Sequence, residues 1–157
     1  MSKYIIIAMV VLLVGYFFYK SSANGKVAQE NARIGDEFLE ENAKRDGVIT
    51  TESGLQMLVL QPGAGAVHPT AKDKVKVHYH GSLLDGTVFD SSVDRGEPIE
   101  FKLNQVIPGW TEGVQRMVEG EKTRLFIPAR LAYGNRGVGK IPPGSLLIFE
   151  VELLAIN

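Results

Sequence analysis

His78 and His80 stand two residues apart in the alternating stretch Lys74 to His80, a spacing that turns both imidazoles to one face of a strand and would suit a pair of metal ligands. The chain has no cysteine and no third histidine close by, so the pair reads as surface or hydrogen-bonded side chains and not as a metal site. Gly134 to Lys140 has the glycine, four residues, glycine, lysine spacing of a phosphate-binding loop. Ile141 follows where a Ser or Thr would hold magnesium, and Pro142-Pro143 block the helix whose N-terminus would face phosphate, so nucleotide binding is set aside. No serine lies in a nucleophile elbow; Ser91-Ser92, just after Asp90, suit turn hydrogen bonds. What remains is a scatter of aromatic side chains over Gly47–Asn157: Tyr79, Phe89, Phe101, Trp110, Phe126, Tyr133 and Phe149. They fall in different short segments, several beside a turn. A core needs only burial, whereas aromatic rings converging from many segments point to a concave apolar pocket.

The elements that must position those rings are mostly strands. Lys74 to His80 alternates cleanly, with Val75, Val77 and Tyr79 on one side and Lys74, Lys76, His78 and His80 on the other. Leu55, Met57 and Val59 alternate in the same way, and Leu147, Phe149, Val151 and Leu153 share a face within Leu146–Leu154. Asp85-Gly86 signals a turn before a short piece through Val88 and Phe89, and Glu97–Leu103 and Glu121–Ile127 are further strand candidates. The turn-rich stretch Gln61–Thr70 separates two of these strands. One segment of this region reads as a helix: Trp110, Val114, Met117 and Val118 lie on one face, Glu112 and Arg116 pair outward, and Gly120 ends it. The expected class is α+β, a twisted antiparallel sheet with one short helix in its concave face.

The 157 residues suit one domain with an appendage, and a net charge of -1 implies no nucleic-acid partner. Tyr4 to Tyr19 is an unbroken apolar and aromatic run with Gly15, flanked by Lys3 and Lys20. Its 16 residues reach about 24 Å as a helix, short of the roughly 30 Å hydrocarbon core, although both lysines could snorkel and the tyrosines suit an interface. The expectation is an N-terminal anchor over 1–25; the alternative is a signal segment cleaved after Ser21-Ser22-Ala23. A polar hinge at Ser21–Lys26 then leads to a charged linker helix within 26–50, running Lys26–Asp46 with Val27, Ile34 and Phe38 on one side and Gly47 as its stop. So thin an apolar stripe reads as a solvated spacer, or as a helix that packs only weakly on something else. The globular domain occupies 51–157.

Tyr79, Phe89-Asp90, Arg95, Phe101, Val106-Ile107-Pro108-Gly109-Trp110, Ala132-Tyr133-Gly134, Ile141-Pro142-Pro143 and Phe149 occur in this order, together with Gly81, Asp85-Gly86, Ser91-Ser92 and Phe149-Glu150-Val151-Glu152-Leu153-Leu154. On these residues, from about Thr51 to the C-terminus, the chain resembles the FKBP-type peptidyl-prolyl cis-trans isomerases. It is similar to their bacterial Mip-like branch, because a charged helix precedes the domain and Glu52-Ser53-Gly54-Leu55 opens it. The resemblance implies a sheet wrapped around a short helix, rotation about X–Pro bonds of proline-containing polypeptides, and no cofactor. It implies that Trp110 floors a proline pocket lined by Tyr79, Phe89, Phe101, Val106, Ile107 and Phe149, with Ile141 at the rim. The Ile107 N–H and the Tyr133 hydroxyl would hold substrate carbonyls, and Asp90 would accept hydrogen bonds while pairing with Arg95 and the Tyr79 hydroxyl.

It further implies that a macrolide of the family's usual type occupies the pocket. Asp90, Tyr133, Ile107 and Trp110 are thus the expected catalytic set, and Tyr79, Phe89, Arg95, Phe101, Val106, Ile141 and Phe149 the substrate-binding one. Two departures stand out. Ile99 occupies a position where many relatives place an aromatic, and the loop Gly134–Lys140 carries Arg136 and Lys140, which would favour acidic flanking residues. Little precedes the linker helix except the apolar run, so a monomer is expected, membrane-anchored with its isomerase domain in the periplasm, or soluble in the periplasm after cleavage. The rival function is a non-catalytic module that holds a proline segment in the same pocket.

Overall fold

The computed structural model describes the backbone of residues 3–157 and the side chains of residues 8–157. A single helix, α1 (Lys3–Asn42), precedes strands β1 (Val48–Thr50), β2 (Gln56–Gln61), β3 (Lys74–Ser82) and β4 (Val88–Ser91). A one-turn helix α2 (Ser92–Arg95), β5 (Ile99–Lys102), α3 (Pro108–Gln115), β6 (Lys122–Ile127) and β7 (Leu147–Ile156) follow. The strands form one antiparallel sheet in the order β1-β2-β6-β7-β3-β4, with β5 also on β3. The expected sheet around a short helix is what the chain builds.

Strict alternation explains the central strands. In β3 the residues Val75, Val77 and Tyr79 are buried, and in β7 Leu147, Phe149, Val151 and Leu153 are. These faces close over α3, whose Trp110 and Val114 join Leu125, Ile127 and Met117 in the main core. The helix can lie this near because of its glycines. A Cβ at Gly109 would stand 2.5 Å from Ile127 Cγ2, and one at Gly113 2.9 Å from Leu125 Cδ2. Pro108 opens α3 at a position where a missing N–H costs nothing and its fixed φ is already helical.

The outer edge of β3 is shared. β5 pairs with Lys74–Val77 and β4 with His80–Ser82, leaving Tyr79 in the gap between them. Ser92, fully buried, fills that gap: the Tyr79 N–H donates to Ser92 Oγ at 2.8 Å. Ser91 caps α2 by accepting from the Asp94 N–H at 3.1 Å. His78 and His80 face outward and bond to Ser92 Oγ and Ser91 Oγ, each at 2.9 Å. Among the described residues no cluster of three or more potential ligands could hold a metal.

The N-terminal part differs from expectation in three ways. Ser21–Lys26 is not a hinge; α1 runs through it unbroken for 40 residues, about 60 Å. One glycine, Gly25, costs only about 1 kcal/mol against alanine, less than breaking a helix already propagating on both sides. The helix also stops at Asn42 rather than Asp46; residues 43–47 turn, and Gly47 with φ 83° leads into β1.

Nor is the C-terminal half of α1 a solvated spacer. Val27 and Ile34 are 44% and 41% exposed, and the buried stripe is instead Ala28, Gly35, Leu39 and Asn42. This stripe covers the sheet's outer face. Leu39 packs with Phe126 and Leu146, and Phe38 lies 5.8 Å from Phe126. Gln56, only 3% exposed, donates to the Leu39 carbonyl at 2.8 Å and accepts from Asn42 Nδ2 at 2.8 Å. Such paired burial avoids the roughly 1–3 kcal/mol cost of an unsatisfied polar group.

Among the described residues no helix is long and apolar enough to cross a membrane. The apolar run enters the described side chains only at Ala8, so Lys3 and the first part of the expected anchor lie outside them. From Ala8 to Tyr19 the helix rises only about 18 Å.

The two glycine contacts on α3 differ in closeness, and this difference is testable. Gly109→Ala pushes against fully buried Ile127 and should cost about 1–3 kcal/mol of unfolding free energy despite its gain in helix propensity. Gly113→Ala meets the equally buried Leu125 less closely, at 2.9 Å against 2.5 Å, so the gain in propensity should offset more of its cost and leave a smaller loss, about 1 kcal/mol or less. Urea unfolding of both variants checks the order; equal losses would show that close approach at Gly109 is not limiting.

Candidate active site

The concave face of the sheet leaves a cleft of about 480 Å³ beside the start of α3. Its lining combines Tyr79, Asp90, Ile99, Phe101, Gln105, Val106, Ile107, Trp110, Tyr133 and Phe149. Trp110, 5% exposed, is the centre of the arrangement. Phe149 meets it edge-on with centroids 5.2 Å apart and planes at 87°, and Tyr79 does so at 5.4 Å and 84°. Phe101 stands 5.4 Å away at 61°. Edge-to-face pairs contribute about 0.5–1.5 kcal/mol each beyond their burial, which holds three walls and a floor in fixed relation.

A second layer supports this one. Phe89 lies edge-on to Phe149 at 5.3 Å and is not among the lining residues. Gly81 makes room for both: a Cβ there would sit 2.7 Å from each ring. Val106 and Ile107 enter from the loop before α3, and Ile107 is half-buried as that helix's N-cap. The Ile107 N–H has no hydrogen-bond partner among the described residues. It is a free amide donor at the mouth of an apolar cleft. Tyr133, 38% exposed, stands on the opposite rim.

The polar edge is a three-member network. The Tyr79 hydroxyl donates to Asp90 Oδ2 at 2.5 Å. Arg95 donates through Nη2 to the Tyr79 oxygen at 3.0 Å and through Nη1 to Asp90 Oδ1, and its guanidinium carbon lies 5.8 Å from the centre of the Tyr79 ring. Partial burial pushes the Asp90 carboxyl up, but the hydrogen bonds from Tyr79 and Arg95 and the charge of Arg95 outweigh it and hold it below the usual carboxylate range. Burial, followed by the hydrogen bond to Asp90, pushes the Tyr79 phenol up and keeps it neutral. The edge therefore carries one fixed anion and one fixed cation.

Of the residues singled out in the sequence, the cleft brings together Tyr79, Asp90, Phe101, Val106, Ile107, Trp110, Tyr133 and Phe149. Arg95 reaches it through Asp90 and Tyr79. Phe89 stands behind the wall. Ile141 is not among the lining residues; it is buried in the main core with Tyr79, Trp110 and Phe149, and its backbone closes a bridge with Val138. Ile99, noted as a departure, is in the wall. Gln105 lines the cleft without any signal in the sequence, because a polar residue in a one-turn 3-10 segment has no periodicity to betray its direction.

Residues 65–154 match the family model of FKBP-type peptidyl-prolyl cis-trans isomerases, and residues 13–59 match that of the domain amino-terminal to such isomerases. The chain belongs to the FKBP-type peptidyl-prolyl cis-trans isomerase family. It is 61% identical over 132 residues to the FKBP-type isomerase FkpA of Aeromonas hydrophila, covering 84% of this chain and 49% of the relative. It is 59% identical over 129 residues to the FKBP-type 22 kDa isomerase of Escherichia coli, covering 82% and 62%, and 45% identical over 139 residues to the outer membrane protein MIP of Legionella longbeachae, covering 88% and 59%. The chain thus spans about half to three-fifths of the length of these relatives. The crystal structure of Escherichia coli FkpA superposes with a TM-score of 0.89 at 42% identity, over all of this chain and 74% of that one.

The lowered folded value of Asp90 fixes the sign of its pH dependence. Its stabilising contribution is fully present above the unfolded carboxylate value of about 3.9 and is lost as pH falls through the lower folded value. The stability gap between the parent protein and Asp90→Asn should therefore be constant from about pH 7 to 5 and narrow below about pH 4. A gap that persists unchanged to about pH 2 would mean that the charge of Asp90 does not hold this edge together.

Proposed function

We propose that this protein is a peptidyl-prolyl cis-trans isomerase that assists protein folding, with proline-containing polypeptides as substrates and Trp110 as the floor of the proline site. The observation that carries this reading is the enclosure of Trp110 by Tyr79, Phe101 and Phe149 at the foot of a cleft whose mouth holds an unpaired amide donor, Ile107 N–H. Rotation about an X–Pro amide starts from a resonance-stabilised planar bond with a barrier near 18–20 kcal/mol for an ordinary peptide. The twisted amide has lost that resonance and its charge separation. An apolar, water-poor cleft therefore suits the twisted form better than the planar one.

In this reading the proline ring packs on Trp110 between Tyr79, Phe101, Val106 and Phe149, while Phe89 backs the wall. The Ile107 N–H and the Tyr133 hydroxyl hold the carbonyls on either side and fix the flanking chain, so that only the amide turns. Asp90, anchored by Arg95 and Tyr79, accepts from the substrate's edge. Nothing is broken or transferred, and no cofactor is called for. A macrolide of the family's usual type would fill the same space. Ile99, aliphatic in the wall, and the cations Arg136 and Lys140 beyond Tyr133 would shape the preference for flanking residues.

The apolar run at the N-terminus is proposed to carry the domain to the bacterial envelope, with the isomerase domain in the periplasm. It acts either as an uncleaved tether or as a leader removed after Ala23. The relative from Legionella longbeachae is named as an outer membrane protein, in keeping with an envelope location.

Relaxation of a Leu-Pro peptide from cis to trans should be accelerated by the full-length chain. Relaxation at the uncatalysed rate while the peptide still binds would favour the non-catalytic module instead. Asp90→Ala removes a charge-assisted acceptor and should lower kcat/KM about tenfold or more, whereas Tyr133→Phe removes one neutral hydroxyl and should cost less than about fivefold. The reverse order would overturn the assignment of these two roles. For the N-terminus, the mature chain in fractionated cells decides: Met1 or Ser2 in the membrane fraction supports the tether, and a start after Ala23 in the soluble fraction replaces it with a free periplasmic form.

A further inference from the structure

A short series of contacts joins α1 to the segment that carries Tyr133. Asn31, half-buried on the inward side of the helix, donates through Nδ2 to the Pro143 carbonyl at 2.9 Å. The next residue, Gly144, has φ 74°, and a Cβ there would lie 2.2 Å from the Ala28 carbonyl oxygen. The loop thus rests directly on the backbone of the helix, at a place where only glycine fits. The Gly144 N–H donates to the Gly134 carbonyl at 2.9 Å, and the Gly134 N–H donates to the Ala129 carbonyl at 2.8 Å. Gly134 follows Tyr133 directly.

This segment has little regular structure of its own. Between Leu131 and Leu147 it holds only the Val138–Ile141 bridge. The Tyr133 hydroxyl has no hydrogen-bond partner among the described residues, so the ring's place on the rim comes from its backbone. A helix with its own hydrogen bonds satisfied is the stiffer of the two bodies in contact. It is therefore the natural reference against which the loop is held.

We propose that α1 is part of the working site, and that Asn31 is a positioning residue which, by holding Pro143-Gly144 on the helix, fixes Gly134 and with it Tyr133 on the rim of the cleft. No residue of α1 lines the cleft, so the helix acts through the loop and not on the substrate. The effect on turnover rests on the isomerase reading above; the effect on the loop does not.

Two measurements on the full-length chain keep these apart. Asn31→Ala should raise amide hydrogen exchange at Gly144 about fivefold, the loss expected from one net hydrogen bond, with Thr123 and Val151 in the central strands unchanged. In the isomerase assay the same variant should raise KM about threefold to fivefold with kcat held within about twofold, since a misplaced rim hydroxyl weakens binding of the flanking chain. In a Tyr133→Phe background, Asn31→Ala should cause no further change, because the hydroxyl it positions is gone. Unchanged exchange at Gly144 would overturn the clamp. Additive effects of the two substitutions would overturn its action through Tyr133. Absence of isomerase activity in the parent protein would instead sink the functional reading and leave the exchange result to decide the clamp alone.

Discussion

The distance between α3 and β6 sets the depth of the cleft. Trp110 sits in the first turn of α3, so its ring goes where that helix goes, and the helix goes as near to Ile127 and Leu125 as Gly109 and Gly113 allow. From that position the indole meets Tyr79 of β3, Phe101 of β5 and Phe149 of β7 at once. Three strands that are not consecutive in sequence are thereby referenced to one ring. A larger residue at 109 would raise the floor and separate walls that now touch it edge-on. The same helix start supplies the free Ile107 N–H, because Pro108 and the beginning of the helix leave that amide with nothing inside the fold to bond. Packing and polarity of the site thus have a common origin.

Tyr79 occupies the other critical position, the gap on β3 between its pairings with β5 and β4. A gap in a ladder leaves a backbone N–H to be satisfied, and buried Ser92 does so from the neighbouring turn. That turn continues into α2 and delivers Arg95 back over the ring. The pairing of Arg95 with Asp90 is half-exposed, so its contribution to stability is modest. Its role is orientation: it keeps the carboxylate ionised at the edge of an apolar cleft and leaves the Tyr79 hydroxyl a donor. An aromatic wall and a charged edge coexist because the charges face each other and not the floor.

How much of this was legible in the sequence follows from the kind of signal each part emits. Val75-Val77-Tyr79 and Leu147-Phe149-Val151-Leu153 alternate strictly, and Trp110 to Val118 repeats at helical spacing, so the sheet and α3 could be read directly. The wall residues could be named because the order of motifs matches a family. Three things were opaque. The buried stripe of α1 is made of Ala28, Gly35, Leu39 and Asn42, and small residues and amides do not register as apolar. Gln56 looks like the polar half of an alternation, yet it is buried because a second layer covers the face it points to. The motif order puts Ile141 at the rim, but motif order carries no depth, and the side chain is buried in the main core beside the lining rings. The first two concern partners distant in the chain, Phe126 and Leu146 for α1 and Leu39 and Asn42 for Gln56, which local pattern does not encode.

That second layer ties the N-terminal helix to the sheet. β6 serves both faces: Leu125 and Ile127 pack toward α3, while Phe126 between them packs toward α1 with Leu39 and Leu146. Because successive residues of a strand point to opposite sides, any displacement of β6 that relieves one layer strains the other. A domain cut at Thr51 would keep the alternation and the aromatic cleft but uncover Phe126, Leu146 and Ile148 on the outer face, and would leave Gln56 without its two partners. The charged helix that looked like a spacer is therefore the outer wall of the fold. It shares a strand with the helix that floors the site and a loop with the residue at its rim.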